Sequence, residues 1–163
     1  MLHQEIEQER KALYTDVAFG AWNRQKVNTH LDNLLRQQRP FCVLLVRVRN
    51  LKHLETQFSR DVVHGTLKVL LSRFAALTGE EGVLGRWSTD QFVAILDMPA
   101  ARAIALSSEA AAKLSGSYIM KENGRTQKVT VHAAAGVTEH PSGGDCTIFH
   151  QKLEQLSEAI SSA

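Results

Sequence analysis

The sequence predicts an α/β sandwich, one mixed and largely antiparallel sheet covered by helices. Three observations predict it. The run "FCVLLVRVR" (41–49) is apolar on consecutive positions and of strand length, as in a strand covered on both faces. Segments around it carry apolar residues at helical spacing. Two polar breaks, Ser88-Thr89-Asp90 and Asn123-Gly124, separate strand-like runs in the manner of hairpin turns. A chain of 163 residues suits a single domain with a full hydrophobic core.

Residues 2–14 read as a highly charged helix with sparse apolar positions, Leu2, Ile6 and Leu13. Such a stripe holds no core alone, so the segment is expected to be a connector helix from an upstream module, with the folded domain at 15–163. A second helix begins near Asn23, carries Val27, Leu31, Leu34 and Leu35, and stops before Pro40. Strand 41–49 follows. Residues 60–77 repeat the helical period through Val63, Leu67, Leu70 and Phe74, and Gly79 closes them. The hairpin "GRWSTDQFVAIL" (85–96) comes next. Pro99 is placed as a first helical residue, and an alanine-rich helix runs to about Leu114 with Gly116 just past it. The stretch from Ser117 to Thr138 is expected to form two strands around Asn123-Gly124. A last helix carries Phe149, Leu153, Leu156 and Ile160, after a short loop "PSGGD" (141–145).

Composition narrows the function classes. A hydrophobic content of 44% and a charged content of 22% are ordinary for a soluble domain. The net charge of +2 gives no argument for nucleic acid or a membrane surface. No stretch approaches the roughly 20 apolar residues of a membrane span, and the charged N-terminus lacks a signal-peptide core. Cys42 and Cys146 lie far apart without ligand spacing and read as free thiols, so the cytoplasm is the expected compartment. Seven histidines show no HxH or HExxH spacing, and His64 and His132 are expected as packing or surface residues, not ligands. Trp22 and Trp87 are expected in core or subunit packing ahead of an exposed aromatic contact. Glu80 and Glu81 read as a solvated turn, and no Ser/His/Asp or Cys/His arrangement rises above chance spacing.

Four segments in order carry a resemblance that spans about residues 14–160. "DVAFGAWNR" (16–24) resembles the DxLTGLxNR opening of the GGDEF domain of diguanylate cyclases, keeping Asp16, Gly20, Asn23 and Arg24. The stretch 42–70 is similar in spacing to that family's strand, DxDxFKxxND stretch and GHxxGD helix start. "GRWSTDQFVAIL" falls where the signature hairpin belongs, and "VHAAAGVT" (131–138) resembles the VTVSIGVA strand. The resemblance implies a palm-like sheet. In active members, two such domains each hold a GTP, and two metal ions activate a hydroxyl attack on phosphorus that yields cyclic di-GMP.

This chain departs from the pattern at the positions the resemblance marks as functional. Arg47 and Arg49 stand at the two aspartates of DxD, and the signature GG(D/E)EF becomes Ser88-Thr89-Asp90-Gln91-Phe92. Ser88 and Thr89 put side chains where glycines let the backbone approach phosphates. Asp90 keeps a metal-binding position, but the next carboxylate is the neutral Gln91. The base-reading asparagine and aspartate correspond to Glu55 and His64, Lys52 is retained, and a phosphate-contacting lysine falls at Ile160. An RxxD feedback motif would correspond to "GEEG" (79–82), which lacks both residues, so product binding there is not expected. A unit charge about 4 Å from another interacts by roughly 4 kcal/mol at an effective dielectric near 20, and a divalent ion doubles that. Reversing one metal-binding charge is therefore expected to abolish metal binding.

If Arg47 and Asp90 face each other on adjacent strands, the guanidinium takes the metal's place in an internal ion pair. Arg47, Arg49, Lys52, Arg60 and Arg86 form either an anion-binding patch, with Arg47, Lys52 and Arg86 its candidates, or a set of solvated and ion-paired arginines; the second is the simpler. The expected function is a GGDEF domain without catalysis, acting as a regulatory or protein-interaction module in bacterial cyclic di-GMP signalling. Its expected partners are other proteins or neighbouring domains of a longer chain, an EAL phosphodiesterase domain among them, with homodimerisation allowed. No cofactor and no metal are expected. The rival is a sensor that binds GTP or cyclic di-GMP through Lys52, Asp90 and the arginines without turnover.

Overall fold

The computed structural model describes residues 15–16, 21–37, 40–79, 83–140 and 146–162. The expected connector helix at 2–14, the turn at 80–82 and the loop at 141–145 lie outside the described residues. Two short strands, β1 (Thr15–Asp16) and β2 (Ala21–Trp22), lead into α1 (Arg24–Arg36). Then come β3 (Phe41–Val48), α2 (Leu51–Gln57), α3 (Arg60–Thr78), β4 (Val83–Ser88), β5 (Gln91–Leu96) and α4 (Ala100–Leu114). The chain continues through β6 (Gly116–Glu122), β7 (Arg125–Val131), β8 (Ala133–His140) and α5 (Cys146–Ser162).

The main sheet is ordered β1-β2-β4-β5-β3-β8, and β6 and β7 form a separate two-stranded sheet. Of the pairings in the main sheet only β2 with β4 is parallel, which gives the mixed, largely antiparallel sheet expected. β3 pairs β5 on one side and β8 on the other, and all of its residues but Arg47 are buried. Its side chains alternate between two cores. Cys42, Leu44, Val46 and Val48 pack with α3, α4 and the β6–β7 hairpin, whereas Phe41, Val43 and Leu45 pack with α1 and α5. A continuous apolar run is what this double coverage demands.

The helix ends follow their capping residues. Asn23 accepts from the Lys26 N–H at 3.1 Å to start α1, and Ser59 accepts from the Val62 N–H at 3.2 Å to start α3. Gly79, at φ 74°, closes α3 in a backbone conformation that side chains resist. Pro99 is extended and caps α4, so this helix begins one residue later than the sequence indicates.

Three features differ from the sequence expectation. α2 has seven residues and buries Leu51 and Leu54, too few for a helical period to be read. β1 and β2 are two residues each, shorter than any alternation. The single strand expected after Asn123-Gly124 is two strands in two sheets. The break is at His132, whose C=O accepts from the Arg49 N–H at 2.8 Å and whose N–H donates to the Asn50 side chain at 3.0 Å. Asn50 also donates to the Thr130 carbonyl at 2.8 Å, so one side chain anchors the strand exchange. The Trp87 indole is buried at 6% exposure, in line with core packing, and the Trp22 side chain lies outside what is described.

At Gly136, midway along β8, a Cβ would overlap the Leu156 side chain of α5, so the glycine sets how closely that helix lies on the sheet. Gly136→Ala is expected to destabilise the domain by about 1–3 kcal/mol through overpacking, read as a lowered urea midpoint. His140 is packed against the Phe41 and Phe149 rings at centroid distances of 5.2 and 5.4 Å. Its Nε2 has no hydrogen-bond partner among the described residues. Burial, and then the Lys152 charge, hold its pKa below the ordinary histidine value. His30 is lowered in the same direction, by burial and then Lys26. Each imidazole takes up its proton at a lower pH in the folded state than in the unfolded one. Stability is therefore expected in full above about pH 6.5 and to fall as pH drops through that value. Denaturation across that range checks it, with His140→Phe flattening the slope.

Candidate functional site at the β4–β5 hairpin

The register of β3 against β5 sets Arg47 opposite Gln91. A bulge between Arg86 and Ser88 and a two-residue turn, Thr89-Asp90, then bring Asp90 beside the end of β3. The Val48 N–H donates to the Asp90 carbonyl at 2.8 Å and fixes that approach. The Arg47 Nε donates to Asp90 Oδ2 at 2.8 Å, with side-chain exposures of 21% and 28%. The two side chains that the sequence sets on adjacent strands do pair. Ser88 Oγ donates to the other carboxylate oxygen at 3.2 Å. Both oxygens of Asp90 are thus engaged from within the domain.

Arg47 and Gln91 also reach α5. The Arg47 Nη1 donates to the Ile160 carbonyl at 3.5 Å, a long contact to one of the final carbonyls of the helix. Gln91, 3% exposed, accepts from the Ser157 hydroxyl at 2.9 Å and donates to the Ser157 carbonyl at 3.4 Å. The Ile160 side chain is buried. Phe92 faces the opposite way and is fully enclosed in the core beneath α3.

The remaining candidates fall in a second place. Glu55, Arg60, His64, Arg86 and Thr89 line a cleft of about 360 Å³ with an apolar floor of Leu51, Phe58, Val63 and Leu67. Arg86 is tied across the turn, donating to the Ser88 carbonyl at 3.2 Å and the Thr89 carbonyl at 2.9 Å. Lys52 and Arg49 are exposed and line neither this cleft nor the Asp90 contact. Of the five cations named from the sequence, Arg60 and Arg86 share this cleft, Arg47 holds Asp90, and Arg49 and Lys52 lie exposed elsewhere. His132 is exposed and His64 half-buried. Among the described residues no three His, Cys, Asp or Glu side chains gather closely enough to hold a metal ion, and no helix is long and apolar enough to cross a membrane.

Sequence reasoning passed over the partners on α5 and the role of Arg24. Ser157 precedes Ile160 by three positions, so helical spacing puts both on the face turned to the sheet. The Arg24 guanidinium stacks 3.6 Å above the Trp87 ring and donates to the Trp87 carbonyl at 2.9 Å, clasping α1 to β4.

The family model for the diguanylate cyclase GGDEF domain matches residues 13–160. The chain belongs to the GGDEF family. Comparison with curated protein sequences gives no match. Among solved structures, the FimX GGDEF domain from Pseudomonas aeruginosa superposes with a TM-score of 0.79 at 16% identity, covering 91% of this chain and 94% of that one. The coiled coil and GGDEF domain of DgcB from Caulobacter crescentus, in complex with c-di-GMP, gives 0.80 at 16% identity, covering 98% and 84%. Diguanylate cyclase SiaD from Pseudomonas aeruginosa, in complex with its activator SiaC, gives 0.74 at 18% identity, covering 98% and 61%. At these identities the likeness is one of fold, and it matches the palm-like arrangement expected of a GGDEF domain.

A double-mutant cycle measures the central contact of this GGDEF domain. Arg47→Ala and Asp90→Ala are expected to couple by about 1 kcal/mol, at the upper end for an ion pair that solvent still reaches. Gln91→Leu is expected to cost about 1–2 kcal/mol, because the Ser157 hydroxyl loses its acceptor. Chemical denaturation of the four variants and the parent reads both.

Proposed function

We propose that this GGDEF domain makes no cyclic di-GMP and serves as a regulatory, protein-interacting module in bacterial cyclic di-GMP signalling. The observation that carries the reading is the Arg47–Asp90 ion pair, 2.8 Å long, at the ends of two adjacent strands. Two-metal phosphoryl transfer needs carboxylates there, to hold divalent cations and to steady the charge on the transferred phosphorus. The residues present do not fit such a pair of ions: one carboxylate remains, a guanidinium neutralises it, and Gln91 supplies no charge. Arginine stays protonated at any working pH, so this block is permanent. Ser88 and Thr89 add side chains where the family's glycines leave room for phosphate.

The interaction role is supported by the family, whose members include the SiaD chain held with a protein activator. We assign residues 15–163 to the domain and 1–14 to a connector. The DgcB chain that carries a coiled coil beside its GGDEF domain is covered at 84% by this one. The partner is another protein or a neighbouring domain, an EAL-type domain included, and the compartment is the cytoplasm.

A second reading is favoured by the cleft at Glu55 and His64, which is open and of ligand size. In it the domain binds GTP or cyclic di-GMP as a sensor, without turnover. Calorimetry with GTP separates the readings. No heat supports the interaction module, and binding supports the sensor; tight magnesium-dependent binding supports the sensor and contradicts the block at Arg47. Purified protein with GTP and magnesium is expected to yield no cyclic di-GMP, and formation of product overturns the proposal. Magnesium is expected to leave the parent's melting temperature unchanged. It is expected to raise that of Arg47→Asp, in which two carboxylates repel until a cation joins them.

A further inference from the structure

Arg86 stands in β4 opposite Phe92, whose ring is enclosed beneath α3, so the arginine side chain issues on the α3 face of the sheet. There it lines the cleft beside Arg60 and His64. Its Nε and Nη2 donate to two consecutive carbonyls of the turn, those of Ser88 and Thr89, at 3.2 and 2.9 Å. The Thr89 carbonyl belongs to the peptide plane that ends at the Asp90 Cα, and a planar peptide moves as one body. Gripping that oxygen sets one side of Asp90. The Val48 N–H, donating to the Asp90 carbonyl at 2.8 Å, sets the other. With both planes held, the carboxylate is aimed at Arg47, whose Nε reaches it at 2.8 Å.

The same turn is tied to α5 on the opposite face. The Arg47 Nη1 donates to the Ile160 carbonyl at 3.5 Å, and Gln91, which follows Asp90, accepts from the Ser157 hydroxyl at 2.9 Å. A continuous series of hydrogen bonds therefore crosses the sheet, from the wall of the cleft to the last turn of the helix. Arg86 begins it and the Ile160 carbonyl ends it.

We propose that Arg86 is a positioning residue that couples the cleft to the end of α5 through the Ser88–Asp90 turn. The turn has a held and a released arrangement. Held by Arg86, it presents Asp90 to Arg47, and Arg47 in turn caps the helix. Drawing Arg86 off the turn and into the cleft releases that cap. Holding the helix end keeps Arg86 on the turn, because the coupling is reciprocal. The device rests on bonds within the domain and on neither reading of the cleft.

Hydrogen exchange on the full chain, resolved by residue, tests it. Amides 159–162 report on the last turn of α5, and amides 153–156 on the part seated against the sheet. Arg86→Met keeps an apolar stem and removes both donors. It is expected to speed exchange at 159–162 about fivefold, the worth of one hydrogen bond, and to leave 153–156 as in the parent. Arg47→Met is expected to give the same pattern directly. The combined variant is expected to exchange no faster than Arg47→Met alone, because both changes act on one contact. Arg86→Lys keeps the charge without the two-pronged grip and is expected to resemble Arg86→Met. It also carries the test if the methionine variant fails to fold. Parent-like exchange at 159–162 without Arg86, an equal rise at 153–156, effects that multiply in the combined variant, or full protection in Arg86→Lys overturns the proposal.

Discussion

A strand buried on both faces has only its ends for polar chemistry, and β3 is that strand. From Phe41 to Val46 every side chain is enclosed by one core or the other. The first position with access to water is Arg47, which lies on the face covered by α5. A guanidinium at such a place must find acceptors, because desolvating it without them costs several kcal/mol. Asp90 and the Ile160 carbonyl are those acceptors. The position of the hairpin tip and the lie of the last helix are thereby linked through one side chain.

That linkage gives α5 a second hold on the sheet. Its apolar face is seated by Phe149, Leu153 and Ile160, and it closes on β8 where Gly136 leaves room for Leu156. Near its end the helix exposes carbonyls without intrahelical donors and carries the negative end of its dipole. A cation supplied from the strand suits that end, and the Gln91–Ser157 exchange adds a neutral contact one turn earlier. The hairpin and the helix terminus therefore form one polar cluster above the core.

Most of this fold was legible because its elements are long and their periods distinct. α1, α3, α4 and α5 carry clear apolar stripes, and β3 is an unbroken apolar run. α2 was not legible, since two apolar residues in seven define no period. The split between β7 and β8 was hidden for a different reason. Its cause is Asn50, more than eighty positions upstream, whose side chain holds both Thr130 and His132. The pairing of Arg47 with Asp90 could be read because family spacing places the two residues on neighbouring strands. The partners on α5 could not, because nothing local to Gln91 says which residue of a distant helix faces it.

The chemistry of the hairpin end is best understood as a rearrangement of charge. By the family resemblance, this end of the sheet would carry acidic groups on the strand and a lysine at position 160 of the helix. Here the strand carries the cation, and position 160 is a buried isoleucine whose carbonyl accepts from it. An arginine at 47 with a lysine at 160 would set two cations against one carboxylate, and an aspartate at 47 with isoleucine at 160 would leave two carboxylates without a counter-charge. Either half-change is worse than both together, by the Coulomb cost of an unpaired neighbour in a partly desolvated site. The two positions are therefore coupled. An aspartate at 47 alone would set a second carboxylate beside Asp90, but it would also remove the cation that faces the end of α5. It leaves Ser88, Thr89 and Gln91 in place around the turn. The Arg47–Asp90 pair is tied to the packing of the last helix, and several positions would have to change together to put an acidic pair in its place.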